Sequence, residues 1–287
     1  MMSWLQVEIL VIAMLASVTC CLPGVFLVLR GVAMMSDAIS HALLLGIVSM
    51  FLWVQDLNSP LLMVGACVVG VFTVVCTELI IQSKRLKKDA AIGLIFPLFF
   101  SVGVILVSRY ARNVHLDIDM VLLGELAFAP FNRLLVCGVD CGPHALWVIC
   151  VVLLINLIFV RIFYKELVLT TFDATLATLS GVSPFFLYYC LMITTSITAV
   201  AVFDVVGSVM VVALMITPPA TAYLLTKRVD EMVALSICLA LCSAFFGYVC
   251  ASYADVSIAG SIASMTGVFF LCAFLKVIFV RHSLRFF

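Results

Sequence analysis

The chain has 287 residues, of which 66% are hydrophobic and only 10% charged. Soluble domains carry about 25% charged residues, so this composition excludes a soluble domain and belongs to a polytopic membrane protein. The 15 basic and 15 acidic residues balance to a net charge of zero, which argues against nucleic acid or an anionic surface as the main partner.

Apolar windows of about 20 residues suffice to cross a hydrocarbon core of about 30 Å. Such windows fall near residues 4–29, 32–54, 60–82, 90–108, 145–164, 184–203, 205–225, 232–254 and 267–280. The expected fold is therefore all-α, with about eight to nine transmembrane helices in one domain over residues 1–287. The first window is apolar for longer than a signal-peptide core and has no basic flank, so it reads as a retained span. It is interrupted by Pro23-Gly24, and the seventh window by Pro218-Pro219. Each proline removes a helix hydrogen bond, so neighbouring helices must satisfy the freed carbonyls.

The second window carries Asp37 and His41. A carboxylate and an imidazole at i and i+4 share one helix face, with Cβ atoms about 5–6 Å apart, close enough to close on one divalent cation. Charges at the bilayer centre cost about 2.5–3.5 kcal/mol on insertion scales, so this pair is a functional candidate by default. Its alternative is a buried structural pair fixing one helix against another. Nearby Met35 and Ser40 read as packing residues, as do Gly65-x-x-x-x-Gly70 and Ala240-x-x-x-Ala244. Glu78 sits near an inner span end, Asn156 can hydrogen-bond across helices, and Glu8 has no local explanation.

Between the fourth and fifth windows lies an outer loop with a short apolar stretch, 118–128, suited to a re-entrant or interfacial helix. The same loop carries His115, Asp117, Asp119, Cys137, Asp140, Cys141 and His144. The Cys137-x-x-x-Cys141-x-x-His144 spacing admits a bound metal, a disulfide or unlinked surface residues. The other ten of the 12 cysteines lie in apolar runs, where cysteine behaves as a small hydrophobe, and no C-x-x-C pair occurs. After the fifth window, Phe172-Asp173-Ala174-Thr175-Leu176-Ala177-Thr178-Leu179 has a short helical pattern, with Gly181 and Pro184 as stop signals. On pattern alone it is either an interfacial connector or a docking element. Asp204 and Asp255 read as helix-end charges at the outer surface.

Lysine and arginine gather at Arg30, at Lys84, Arg85, Lys87 and Lys88, at Arg161 and Lys165, at Lys227-Arg228, and at Arg281 and Arg285. With nine spans all these positions fall on one side, which the positive-inside rule makes cytoplasmic, Arg109, Arg112 and Arg133 being minority exceptions. The N-terminus is then outside and the C-terminus inside.

Four stretches together resemble one family. Arg30-Gly31-Val32-Ala33-Met34-Met35-Ser36-Asp37-Ala38-Ile39-Ser40-His41-Ala42 is similar to R-x-x-(A/S)-L-x-G-D-A-(I/L)-S-H-A. Lys88-Asp89-Ala90-Ala91-Ile92-Gly93 resembles a basic loop followed by D-x-A-I-G. Thr171-Phe172-Asp173-Ala174, continuing to Gly181, resembles the F-D-x-x-x-A-x-x-x-G cytoplasmic segment. The run from Val206 to Ala222 resembles V-G-x-L-L-V-x-A-L-L-x-x-P-A-A-T-A. In this order, over nearly the whole chain, they are similar to the ABC-type divalent-metal permeases. Departures include Ser36 for a common glycine, Pro219 for a usual alanine and Leu45-Gly46 for a frequent Pro-Gly; none touches Asp37 or His41.

The resemblance implies a multi-pass permease subunit of the bacterial cytoplasmic (inner) membrane, importing zinc, manganese or ferrous iron. It implies a cytoplasmic ABC ATPase, an extracytoplasmic metal-binding protein, and a second permease copy or sister permease as partners. Thr171, Phe172, Asp173, Ala174, Ala177 and Gly181 would belong to a coupling helix seated on that ATPase. Asp37 and His41 would hold the metal in transit, the partner chain supplying an equivalent pair. The metal is cargo, no cofactor is expected, and proton binding to His41 would compete with the cation. The chain has no G-x-x-x-x-G-K-[ST] loop, so it is expected to be a transport subunit and not itself an enzyme. A proton-coupled secondary metal transporter, with Asp37 and His41 as a relay, is the alternative. An intramembrane metallo-hydrolase would need more ligands in the spans, and no H-E-x-x-H occurs.

Overall fold

The computed structural model describes residues 4–56, 59, 61–110, 126–136 and 139–283. Its helices are α1 (Trp4–Leu29), α2 (Met34–Val54), α3 (Leu61–Gln82), α4 (Lys88–Tyr110), α5 (His144–Ile162), α6 (Tyr164–Phe172), α7 (Ala174–Leu179), α8 (Pro184–Val206), α9 (Ser208–Leu225), α10 (Val229–Ala254) and α11 (Ile258–Ser283). Among the described residues nine helices are long and apolar enough to span a membrane, α6 and α7 being the exceptions. Eight start and end within a few residues of the expected windows. The ninth differs: α11 begins at Ile258, nine residues before the expected window at 267. Its first turns are rich in alanine, glycine and serine, which lowers hydropathy but permits tight packing. A Cβ on Gly247 of α10 would lie 2.5 Å from Ile262 Cα, and Ser261 Oγ donates to the Gly247 carbonyl at 2.9 Å.

Two groups of helices, α2–α4 and α9–α11, meet where α2 packs on α8 and α9 and α3 on α8, while α1 packs on α9 and α10 and also on α5 and α8. The buried core centres on α1, α2, α8 and α9, with Phe26, Met35, Ile39, Leu43, Leu191 and Leu214 fully covered. Small residues bring the spans together, as expected for helices that cannot rely on water to drive association. Gly65 lies against the Gly46 carbonyl of α2, and Gly70 against Ser196 of α8.

The proline interruptions are answered by remote groups. Pro23 cannot donate to Thr19, one turn earlier in α1. Asn156 Nδ2 of α5 donates to that carbonyl at 3.2 Å and to Thr198 Oγ1 of α8 at 2.7 Å. Asn156 is 2% exposed, so the freed carbonyl is satisfied where no solvent reaches. Asn156→Leu is expected to cost about 1–3 kcal/mol, the penalty for an unsatisfied buried group. A thermal melt of the detergent-solubilised variant checks this; an unchanged melt contradicts it.

Between α4 and α5 a two-stranded hairpin, β1 (Arg133–Val136) and β2 (Val139–Pro143), follows a 3-10 turn at Leu126–Phe131. The hairpin was not expected. It places Arg133 Nη2 3.3 Å from both carboxylate oxygens of Glu8, which accounts for the acid in α1. Most of the expected 118–128 helix lies outside the described residues.

Candidate metal site and coupling face

Asp37 and His41 stand on the first two turns of α2, with His41 Nε2 3.2 Å from Asp37 Oδ1. Both are partly open, at 24% and 28% exposure, while Met35, Ala38, Ile39 and Ala42 of the same helix are buried. The pair thus lies on the face of α2 that its own protomer leaves least covered. Phe96 and Phe100 of α4 hold the imidazole, their ring centroids 5.5 and 5.8 Å away. Ser36 and Ser40 are buried and donate to the Ala33 and Ser36 carbonyls, so their hydroxyls are spent inside the helix. Met35 is fully buried, and both Met35 and Ser40 are packing residues as expected.

Among the described residues no group of three or more His, Cys, Asp or Glu side chains comes together. One protomer therefore supplies one carboxylate and one imidazole at this position, too few to enclose a transition metal. His115, Asp117, Asp119 and Cys137 lie outside the described residues, as do the side chains of Asp140 and Cys141. His144 opens α5 and lines an outer cleft of about 490 Å³ with Ser59, Asn132 and Asp204. Asp204 sits in the last turn of α8, and Asp255 caps α10 in a left-handed conformation, so both stand at helix ends as expected.

The end of the bundle expected to face the cytoplasm carries the second constellation. The expected short helix resolves into two elements, and Phe172 closes α6 instead of opening α7. Asp173 is the N-cap: its carboxylate accepts from the backbone N–H groups of Thr175 at 3.0 Å and Leu176 at 2.9 Å. Gly181, at φ +80°, ends the segment, with Val182 N–H on the Ala177 carbonyl and Gly181 N–H on that of Thr178. Ala177 is buried beneath the segment, while Ala174 and Gly181 are exposed and Thr171 is half-buried. Phe172, Leu176 and Leu179 are 66%, 50% and 82% exposed, an apolar face beyond the spans.

Residues 2–277 match the family model described as the ABC 3 transport family. The chain belongs to the ABC 3 transport family. Within this family it is 45% identical to the manganese transport system membrane protein MntD of Bacillus subtilis over 93% of this chain and 90% of that one. It is 47% identical to the zinc transport system membrane protein TroD of Treponema pallidum, over 94% of this chain and 74% of that one. The solved structure of PsaBC from Streptococcus pneumoniae in complex with Fab is similar, with a TM-score of 0.78 and 28% identity. That match covers 95% of this chain and 91% of the other. The chain is a multi-pass membrane permease of this ABC family, and the expected all-α architecture stands.

Proposed function

We propose that the chain is the membrane-spanning subunit of an ATP-driven importer of divalent transition metal ions, manganese or zinc first and ferrous iron next. The observation that carries this reading is the half-site on α2, a carboxylate and an imidazole 3.2 Å apart on a partly open face. Two such pairs, from this chain and a second copy or sister permease, make an N₂O₂ set around a pore at the dimer interface. Carboxylate and neutral imidazole suit manganese, iron and zinc alike, so geometry and availability select the ion. Relatives named for manganese and for zinc support the cargo class.

An extracytoplasmic binding protein delivers the ion to the outer mouth. A cytoplasmic ABC ATPase seats on the Phe172–Gly181 segment, whose exposed Phe172, Leu176 and Leu179 supply an apolar face for its groove. Asp173 keeps that face in register by capping α7, and Ala177, buried beneath it, sets its height on the bundle. Nucleotide binding and hydrolysis then rearrange the spans and release the ion inward. A permanently closed cage would trap the cargo, so a ligand set split between two chains, which opens when they move apart, suits transit.

The test is uptake into proteoliposomes holding the permease with its ATPase and binding protein, with Mn²⁺, Zn²⁺ and Fe²⁺ offered separately. Uptake should require ATP and persist when a protonophore collapses the proton gradient. Uptake that follows the gradient and ignores ATP would establish the proton-coupled alternative instead.

A further inference from the structure

The turn between α1 and α2 holds Arg30, four residues before α2 begins. We infer that Arg30 is the positioning residue that ties the ATPase-facing segment to the metal-bearing helix, a clamp resting on the coupling role proposed above.

Its Nη2 donates to Thr170 Oγ1 at 2.8 Å and its Nε to Thr171 Oγ1 at 3.1 Å, across 140 and 141 residues of sequence. These threonines close α6 immediately before Phe172 and the Asp173 cap. Each hydroxyl has already given its proton to its own helix. Thr170 donates to the Glu166 carbonyl at 2.8 Å, and Thr171 to the Leu167 carbonyl at 2.6 Å. Both oxygens therefore turn lone pairs outward, spaced for the fork of a guanidinium. The guanidinium also lies 5.9 Å from the Tyr188 ring centroid in the first turns of α8. Among the described residues no carboxylate pairs with Arg30. The clamp is directional but neutral on its acceptor side, so it can let go more readily than an ion pair.

The turn that carries Arg30 is stiff. Gly31 stands at φ +66°, with its N–H on the Val28 carbonyl and Val32 N–H on that of Leu27. Met35 and Ser36 then bond back to Val32 and Ala33, so α2 starts without slack. A shift of α6 and α7 is passed through Arg30 to the first turn of α2, where Asp37 sits. Arg30 is not a metal ligand; it moves the ligands.

The test uses the full complex in proteoliposomes, reading ATP hydrolysed and Mn²⁺ or Zn²⁺ moved in parallel. In Arg30→Met, which keeps the apolar stem, ions moved per ATP should fall about tenfold, the scale of a typical coupling between sites. The ATPase should still co-purify, and Mn²⁺ binding by the permease alone should be unchanged. Thr170→Val with Thr171→Val removes the acceptors while keeping their shape, and should give the same loss. Arg30→Lys should recover part of the ratio, since an ammonium reaches one oxygen but lacks the fork. An unchanged ratio in either variant overturns the clamp. So does an equal fall in hydrolysis and uptake, which marks a merely structural residue. A wild-type complex that moves no ion on ATP overturns the coupling role beneath it, which separates the two failures.

Discussion

His41→Ala is expected to lower metal uptake by on the order of 100-fold or more, and Asp37→Ala to do the same. Removing residues that only orient metal ligands already costs about 10- to 100-fold, and these two are proposed as the ligands themselves. Neither side chain is buried, at 28% and 24% exposure, and the core of α2 is made by Met35, Ile39 and Leu43 on another face. Assembly with the ATPase and the melting temperature should therefore stay near wild type. A purely structural pair predicts the reverse: a less stable protein whose uptake per folded molecule is preserved. Uptake assays normalised to folded complex, beside a thermal melt, decide between them.

Gly24→Ala is expected to have the largest effect on the fold. Pro219 has no N–H for the Met215 carbonyl one turn earlier, and α1 crosses α9 at that carbonyl. A Cβ on Gly24 would stand 2.0 Å from Met215 O, 3.0 Å from Met215 C and 3.2 Å from Pro219 Cγ. Two of those atoms are backbone and cannot swing aside, so α1 and α9 must separate through the centre of the core. The expected cost is about 3 kcal/mol or more, at the upper end for overpacking. Gly267→Ala in α11 is the control. Nothing lies within 4 Å of its added Cβ, and it should be neutral or slightly stabilising by helix propensity. The yield and melting temperature of the two variants check the contrast; equal behaviour would contradict it.

The spans and the Asp37–His41 pair were legible because each is a local property: apolar length and i,i+4 spacing. What stayed hidden depends on distant partners. Pro23 announces a freed carbonyl, but nothing local says that Asn156, 137 residues beyond Thr19, will meet it. Glu8 looked anomalous until Arg133 came to it from the outer hairpin. The start of α11 was missed because residues 258–264 are mostly small, and hydropathy does not distinguish a tight helix crossing from a loop. At the proposed coupling segment, Phe172 and Asp173 were expected in one helix. The cap geometry splits them, because Asp173 adopts an extended backbone at φ −142° and turns its carboxylate onto the next turn. Arg30 was legible as a basic loop residue and as part of a motif, but its two threonine partners were not.

In the proposed importer, two permease chains share one ion between their Asp37–His41 pairs. The most direct measurement is the Mn²⁺ or Zn²⁺ bound to the purified permease assembly, counted per chain at saturation, for wild type and His41→Ala. One ion for every two permease chains is expected in wild type, and none retained in the variant. One ion for every chain, or unaltered binding after His41→Ala, would contradict it.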